Sequence, residues 1–543
     1  MSVVAVIPVK KHSTRLYEKN SLQINKQTLY EHSILYAKKS KLIDRVIVST
    51  DCREIEGHIK SLGIECIFRG SSLSGEVPLF DVYKHVYDAV VENGTCTYIV
   101  GLQPDNPDRS IDLDDALRYV YEKHIDDLFS VGNDGKKNGS LRILSAKALS
   151  STAITTSSIY DECTNIHTMR DYTYAKYRML KKDFIEVSGK RIGNNEDVFV
   201  VVEAACNHMC DMDIAKQLID EAAAAGADAI KFQTYKAERL VTAESVAYWG
   251  TEKSTQLKYY KNLDKFEKKE YRELFDYAKE RGIIGFSSPF DIESASMLND
   301  LGMSLFKVAS CEINNLDFLA HIARFNKPII LSTGASTAEE IDTAIDVIFG
   351  QGNFDLVLLA CTLSYPTENN NANLNRIRTL RERYPNITIG LSDHTKPDEN
   401  MIIPAIAVAM GAQVIEKHYT LDRKWTGSGH FFSIQPEDLK KMISNIDLAL
   451  IVRGTEKLEV MPEEEKALIG ARKSIVAVHD IKSGTMLTKD MLTLKRPGIG
   501  ISSEKIDSIV GRVTKFEIAS DSIIYDHMLC EESKDENTAY SCS

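Results

Sequence analysis

The sequence has no apolar run near the roughly 20 residues a helix needs to cross a bilayer. Met1 leads straight into the strand-like stretch 3–9 with no basic leader before it. A cytoplasmic protein without membrane contact is the expectation. Positive charge is in deficit: 66 Lys and Arg against 78 Asp and Glu leave a formal net charge of -12. A surface built to coat nucleic acid is therefore excluded, which leaves room only for a local basic pocket. None of the 10 cysteines forms a CxxC pair, several lie inside apolar runs, and Cys206 with Cys210 fits no zinc spacing. They read as reduced thiols. Glycine (29) and proline (13) are too sparse for a collagen-like or low-complexity chain. What remains is a globular protein, 43% apolar and 27% charged over 543 residues. At about 100 to 200 residues per domain, that length calls for three or four domains.

Up to residue 185, short apolar runs (3–9, 45–50, 63–69, 98–103, 127–132) alternate with helical patterns, which implies a mostly parallel sheet covered by helices. Residues 186–197 lose periodicity and read as a linker. Eight strand-like runs follow in 198–453: 198–204, 229–233, 283–288, 304–309, 328–332, 356–360, 387–391 and 413–417. Amphipathic helices separate them. The clearest is 212–225, with Ile214, Leu218, Ile219 and Ala222 on one face, Asp at its start and Gly226 at its end. That rhythm is the size of a closed (β/α)8 barrel, with an open doubly wound sheet as the alternative. An acidic linker (454–470), a small β-rich domain (471–530) and a polar, flexible tail (531–543) complete the chain.

In such a barrel the carboxyl ends of the strands converge on one mouth, so their polar residues belong together. They are Glu203, Asn207 and His208; Lys231 and Gln233; Ser287 and Ser288; Lys307, Ser310 and Glu312; Ser332 and Thr333; Thr362 and Tyr365; Asp393 and His394; Glu416 and His418. Two lysines at such ends are costly to bury. Either an anionic phosphate or carboxylate ligand compensates them, or each pairs with a nearby Glu. His394 and His418, on adjacent strands, can share one metal ion or serve as core histidines.

The run EAACNHMCDMDIAKQLIDEAAAAGADAIKFQTYKAERLVT, with SSPFD (287–291), KVASCE (307–312), STG (332–334), LSDHT (391–395) and EKHYTLD (416–422), resembles the sialic acid (N-acetylneuraminate) synthase family. ARKSIVAVHDIKSGTMLTKDMLTLKRPGIGI resembles that family's C-terminal SAF, or antifreeze-like, domain. The resemblance implies condensation of phosphoenolpyruvate with N-acetylmannosamine or a related hexosamine, or its 6-phosphate, releasing phosphate and forming a nine-carbon 2-keto acid. It implies a divalent ion, Mn2+ or else Mg2+ or Co2+, on His394 and His418, with Glu203, Lys231, Lys307 and Glu312 as catalytic residues. Asn207, Gln233, Ser288, Ser310, Ser332, Thr333 and Tyr365 are then substrate-binding. It further implies a domain-swapped homodimer in which Arg496 reaches the partner's site. Ala360, Leu363 and Gly429 depart from the family pattern, the last two where the family faces the sugar.

Residues 3–180 resemble CMP-sialic acid synthetases and related cytidylyltransferases through IPVKKHSTRLYEKN, VIVSTD, FRGSSLSGE, LQPDNPDR and NGSLRI. The resemblance implies an N-terminal Rossmann-like nucleotidyltransferase-type domain in which Ser13, Arg15, Lys19, Asn20, Gln103 and Arg109 bind nucleotide. Lys11 and His12 stand where that family has Gly-Gly. Its metal-binding DIDT reads NIHT at 165–168, an amide and an imidazole in place of hard oxygen ligands. A synthase carrying a degenerate transferase domain is the expectation; a bifunctional enzyme and a non-catalytic scaffold or sensor are the alternatives.

Overall fold

The computed structural model describes residues 2–13, 15–75, 77–92, 95–247, 255–532 and 540–541, with side chains through 530. It divides into two compact units, Met1–Arg453 and Gly454–Ser543.

The first unit opens with a seven-stranded sheet. Val3–Val9 lies parallel between Arg45–Thr50 and Tyr98–Gly101, and Glu65–Phe68 forms one edge. Beyond Tyr98–Gly101, Lys137–Ser145 runs antiparallel, then come Asp127–Val131 and the edge strand Thr156–Tyr160. The last two strands of the chain order, Lys137–Ser145 and Thr156–Tyr160, are not expected from the sequence. Thr156–Tyr160 alternates exposed and half-buried residues, so it carries no apolar signature.

Eight strands then form the barrel: Phe199–Ala205, Ala229–Thr234, Ile284–Pro289, Phe306–Val308, Ile329–Ser332, Leu356–Cys361, Thr388–Asp393 and Val414–His418. Parallel ladders join the first to the third and the fourth to the eighth in order, the first pairs with the eighth, and no ladder joins the third to the fourth among the described residues. The sequence-derived barrel holds strand for strand. Helix Met212–Ala225 begins where Asp211 accepts from the backbone N–H groups of Asp213 and Ile214. It ends at Gly226, whose φ of 93° an L side chain rarely adopts.

Both expected linkers are structured. Residues 184–193 form a hairpin, Phe184–Val187 against Lys190–Gly193, turning through Ser188 and Gly189, both at positive φ. Ile185, Val187 and Ile192 join the barrel core, and Lys190 pairs with Asp228 before the second strand, so the hairpin closes the amino-terminal end of the barrel. The N-terminal sheet is not a loosely tethered domain either. Its helix Met169–Leu180 buries Tyr177 in the barrel core, 4.6 Å from Phe349 between ring centroids, and Arg170 pairs with Asp346 at 2.9 Å.

In the second unit, the acidic segment contains a helix, Glu465–Ala471. Ser474–Ala477 then pairs with Leu492–Lys495 over a core of Ile475, Ile481, Leu487, Ile501, Ile518 and Ile524. The expected flexible tail pairs Glu531–Glu532 with Tyr540–Ser541; 533–539 and 542–543 lie outside the described residues. Cys530 is disulfide-bonded, a correction to the all-reduced reading, while Cys52, Cys66, Cys96, Cys163, Cys206, Cys210, Cys311 and Cys361 are free.

Candidate active site

Strand register builds the site. Glu203 sits opposite Lys231 on one neighbouring strand and opposite His418 on the other. Ser392 sits opposite Glu416. Because side chains alternate along a strand, Glu416 and His418 share one face, as do Ser392 and His394. Lys231 Nζ lies 3.0 Å from Glu203 Oε2 and 3.2 Å from Glu416 Oε2, and Lys307 Nζ lies 3.8 Å from Glu416 Oε1. All four side chains are buried. Gln233 Nε2 donates to Glu203 Oε1 at 2.9 Å, Lys231 to Ser288 Oγ at 3.4 Å, and Ser392 Oγ to Glu416 Oε1 at 3.0 Å.

The two lysines are thus compensated within the chain by Glu203 and Glu416, unequally. Burial alone would push the Glu203 carboxyl up, but Lys231, then His418 and Lys307, outweigh it and hold it well below the usual range. Burial pulls Lys231 down, yet Glu203 and Glu416 more than restore it and it ends raised. Lys307 is lowered by burial, which its more distant Glu416 does not offset. Lys307 is therefore the cation with most to gain from an incoming anion.

Beside this chain stand the imidazoles. His394 and His418 have ring centroids 5.4 Å apart, and Tyr365 lies 4.4 Å from His394. His394 Nδ1 faces the Thr362 carbonyl at 3.0 Å and Cys361 Sγ at 3.7 Å, which leaves Nε2 for another partner. His418 Nε2 is 3.4 Å from Glu203, and its buried Nδ1 has no hydrogen-bond partner among the described residues. Burial lowers His418 to about 4, the neutral form a metal requires. No group of three or more His, Cys, Asp or Glu arranged for a metal occurs among the described residues. Two imidazoles with an orphaned ring nitrogen fit a divalent ion that draws its other ligands from water and substrate oxygens.

The remaining expected residues divide. Ser310 Oγ accepts from Gly334 N–H at 2.9 Å, and buried Ser332 Oγ has no partner among the described residues. Thr333 Oγ1 donates to the Leu359 carbonyl, and Asn207 Nδ2 donates to the Tyr419 carbonyl at 2.8 Å and Ser433 Oγ at 3.1 Å; both brace the mouth. Glu312 sits on the short helix after strand four, its carboxyl raised by burial and bonded by Asn315. Arg496 is exposed in the second unit.

In the N-terminal sheet, Arg109, expected to bind nucleotide, makes its bonds within the sheet. Its guanidinium is spent on the carbonyls of Gln103 and Ser140 and on Ser33 Oγ, holding the core together. Lys19 is buried in a 2.6 Å ion pair with Asp105 and donates to the Ile166 carbonyl. Arg15 meets His167 of NIHT at 2.9 Å. Asn20 Nδ2 donates to the Lys10 carbonyl, the Gln103 side chain lies against Gly139, and Ser13 is half-buried.

Ser392 and Cys361 were not anticipated as site residues, and neither was the buried Lys417 that pairs at 2.6 Å with the anticipated Asp393, on the opposite strand face from Glu416 and His418. The period-two rule applied backwards from His394 finds Ser392. No sequence signal marks the Lys417 pair.

Comparison with known proteins decides the family. The NeuB family pattern matches residues 218–457, a cytidylyltransferase pattern 4–178 and a SAF domain pattern 472–529. An N,N'-diacetyllegionaminic acid synthase of Campylobacter jejuni is 37% identical over 332 residues, 60% of this chain and 98% of that protein. The chain belongs to the NeuB family. The NeuB-family part is also 31% identical over 351 residues to N-acetylneuraminate-9-phosphate synthase of Homo sapiens, 64% of this chain and 96% of that one. The crystal structure of a putative spore coat polysaccharide biosynthesis protein E from Chromobacterium violaceum superposes with a TM-score of 0.53 at 27% identity. That match covers 61% of this chain and 99% of the other.

Proposed function

We propose that the NeuB-family barrel condenses phosphoenolpyruvate with an N-acylated hexosamine, releasing phosphate and forming a nine-carbon 2-keto acid. The observation that carries this is the buried chain Glu203–Lys231–Glu416–Lys307 beside the two imidazoles. Such a site holds an anion in a water-excluded place, where fixed charges act strongly on developing charge. Lys307, the less compensated cation, and Lys231 take the phosphate and carboxylate. Ser310 and Ser332 supply neutral hydrogen bonds. Gln233 and the ionised Glu203 orient the acceptor, and Glu312, raised toward neutrality by burial, is the candidate for proton transfer. His394 and His418 would hold a divalent ion, Mn2+ in our reading, which when bound supplies Lewis acidity to a carbonyl oxygen.

No helix among the described residues is long and apolar enough to cross a membrane; we place the reaction in the cytoplasm. We further propose a homodimer in which Arg496, exposed on the second unit, completes the partner's site. Mixing Arg496→Ala chains with His394→Ala chains should then restore activity. The N-terminal sheet does not turn over CTP in this reading, because Lys19 and Arg109 are already bonded within it. The test is phosphate release from phosphoenolpyruvate. It should require the acceptor, stop on chelation, return with Mn2+, and vanish in His394→Ala/His418→Ala. Pyrophosphate release from CTP with any nine-carbon keto acid would reinstate the bifunctional reading.

A further inference from the structure

His394 and His418 each stand one residue beyond the last rung of the ladder between Thr388–Asp393 and Val414–His418, the rung that pairs Asp393 with Lys417. Because side chains alternate, Asp393 and Lys417 lie on the outer face of the barrel while the imidazoles lie on the inner one. Both are buried there, Lys417 at 2% exposure and Asp393 at 4%. Lys417 Nζ donates to Asp393 Oδ2 at 2.6 Å, to the Thr395 carbonyl at 2.8 Å and to Thr395 Oγ1 at 3.3 Å. Asp393 Oδ1 in turn accepts from the Thr395 N–H at 2.9 Å and from Thr395 Oγ1 at 2.8 Å. The residue before His418 thus grips the residues on both sides of His394. Its three N–H donors are all used, so it has none left for a ligand. A buried ion pair adds little stability over apolar side chains of like volume. What this one supplies is a fixed distance between two strand ends.

We propose that Lys417 and Asp393 are positioning residues for the divalent ion: their clamp on the outer face of the barrel fixes the spacing of His394 and His418 on the inner face. This rests on the reading above that the two imidazoles hold the ion. Each ring is turned by a bond of its own, His394 Nδ1 at the Thr362 carbonyl and His418 Nε2 at Glu203. Those bonds set how a ring is rotated about its side chain. The clamp sets where each side chain starts from, which no bond on the rings can do. An ion held by two imidazoles, with water and substrate oxygens for the rest, has no third protein ligand to absorb a shift of either one.

The test is Mn2+ binding to the full-length chain, read from the electron paramagnetic resonance signal of the free ion, which needs no turnover. Lys417→Met/Asp393→Leu replaces the pair by apolar side chains of similar volume and leaves no buried charge unpaired, so it should keep the native circular dichroism spectrum. It should nevertheless bind Mn2+ about 10–100-fold more weakly than the wild type, the usual loss when the groups that orient metal ligands are removed. Lys190 pairs with Asp228 at 2.8 Å at the other end of the barrel, and Lys190→Met, the control for a general loosening, should leave the affinity where it is. A double variant that binds Mn2+ as tightly as the wild type overturns the clamp. So does one that loses the ion only along with its native spectrum, or a weakening that Lys190→Met matches. A wild type that binds no Mn2+, or one whose binding is unmoved in His394→Ala/His418→Ala, refutes the metal reading itself and the clamp with it.

Discussion

Replacing Lys231 by methionine removes the one ammonium that touches two buried carboxylates, at 3.0 Å from Glu203 and 3.2 Å from Glu416. Methionine fills similar volume, so the cost is electrostatic rather than a cavity. Breaking a buried pair by deleting one partner costs about 3–5 kcal/mol. At about 2–4 °C per kcal/mol for a domain of this size, the barrel's thermal midpoint should fall roughly 6–20 °C. The deficit should depend on pH. In the wild type the Glu203 carboxyl lies well below its ordinary value, so its contribution is present above the unfolded-state value of 4.5 and is lost as pH falls through the folded one. Without Lys231 the two carboxylates rise and take up protons in mildly acid solution, which relieves their repulsion. The gap between wild type and variant, read by circular dichroism on heating, should therefore narrow from about pH 7.5 to about pH 5, and Lys231→Met/Glu416→Gln should recover part of it. A variant within about 1 kcal/mol of wild type at neutral pH, or a gap that does not change with pH, would refute the assignment of a mutually dependent charge chain.

Three further outcomes follow from other parts of the molecule. His208 is buried, stacked on Phe266 and lowered to about 4 by burial, so the protein should be most stable above pH 6.5 and lose about 3 kcal/mol between there and pH 4; His208→Gln should flatten that part of a urea-midpoint profile. Ala205 sits at a bulge with φ of 46°, where a left-handed conformation costs an L residue about 1–2 kcal/mol and glycine's extra chain entropy returns about 0.5–1. Ala205→Gly should therefore raise the urea midpoint slightly, and a fall would contradict the strain argument. Arg109→Ala should loosen the N-terminal sheet by about 2–4 kcal/mol, read as faster proteolysis within residues 1–180, because three acceptors lose a charged donor.

The barrel was legible because a parallel sheet buried on both faces writes each strand as an apolar run, and helices such as Met212–Ala225 carry their caps in the sequence. The strand-end residues were legible for the same reason: knowing where a strand stops tells which side chains reach the mouth. What was not legible depends on partners distant in sequence. The hairpin 184–193 has the composition of a linker, yet three of its residues find the barrel floor. That Arg109 bonds the backbone carbonyls of Gln103 and Ser140 could not be read from its motif alone. Whether Lys231 pairs with a carboxylate of the chain was open from spacing alone, and the register brings both Glu203 and Glu416 to it, beside which a substrate anion would add its charge.

The measurement that tests the central claim most directly is product analysis by mass spectrometry after the full-length chain is incubated with phosphoenolpyruvate, an N-acylated hexosamine and Mn2+. The account predicts a nine-carbon 2-keto acid whose mass is that of the acceptor plus pyruvic acid, formed with the uptake of one water and in step with free phosphate. The product should be absent in Lys307→Ala, since that lysine is the cation left short of counter-charge for the incoming anion. Consumption of phosphoenolpyruvate without a new carbon–carbon bond, or full product yield from Lys307→Ala, would contradict it.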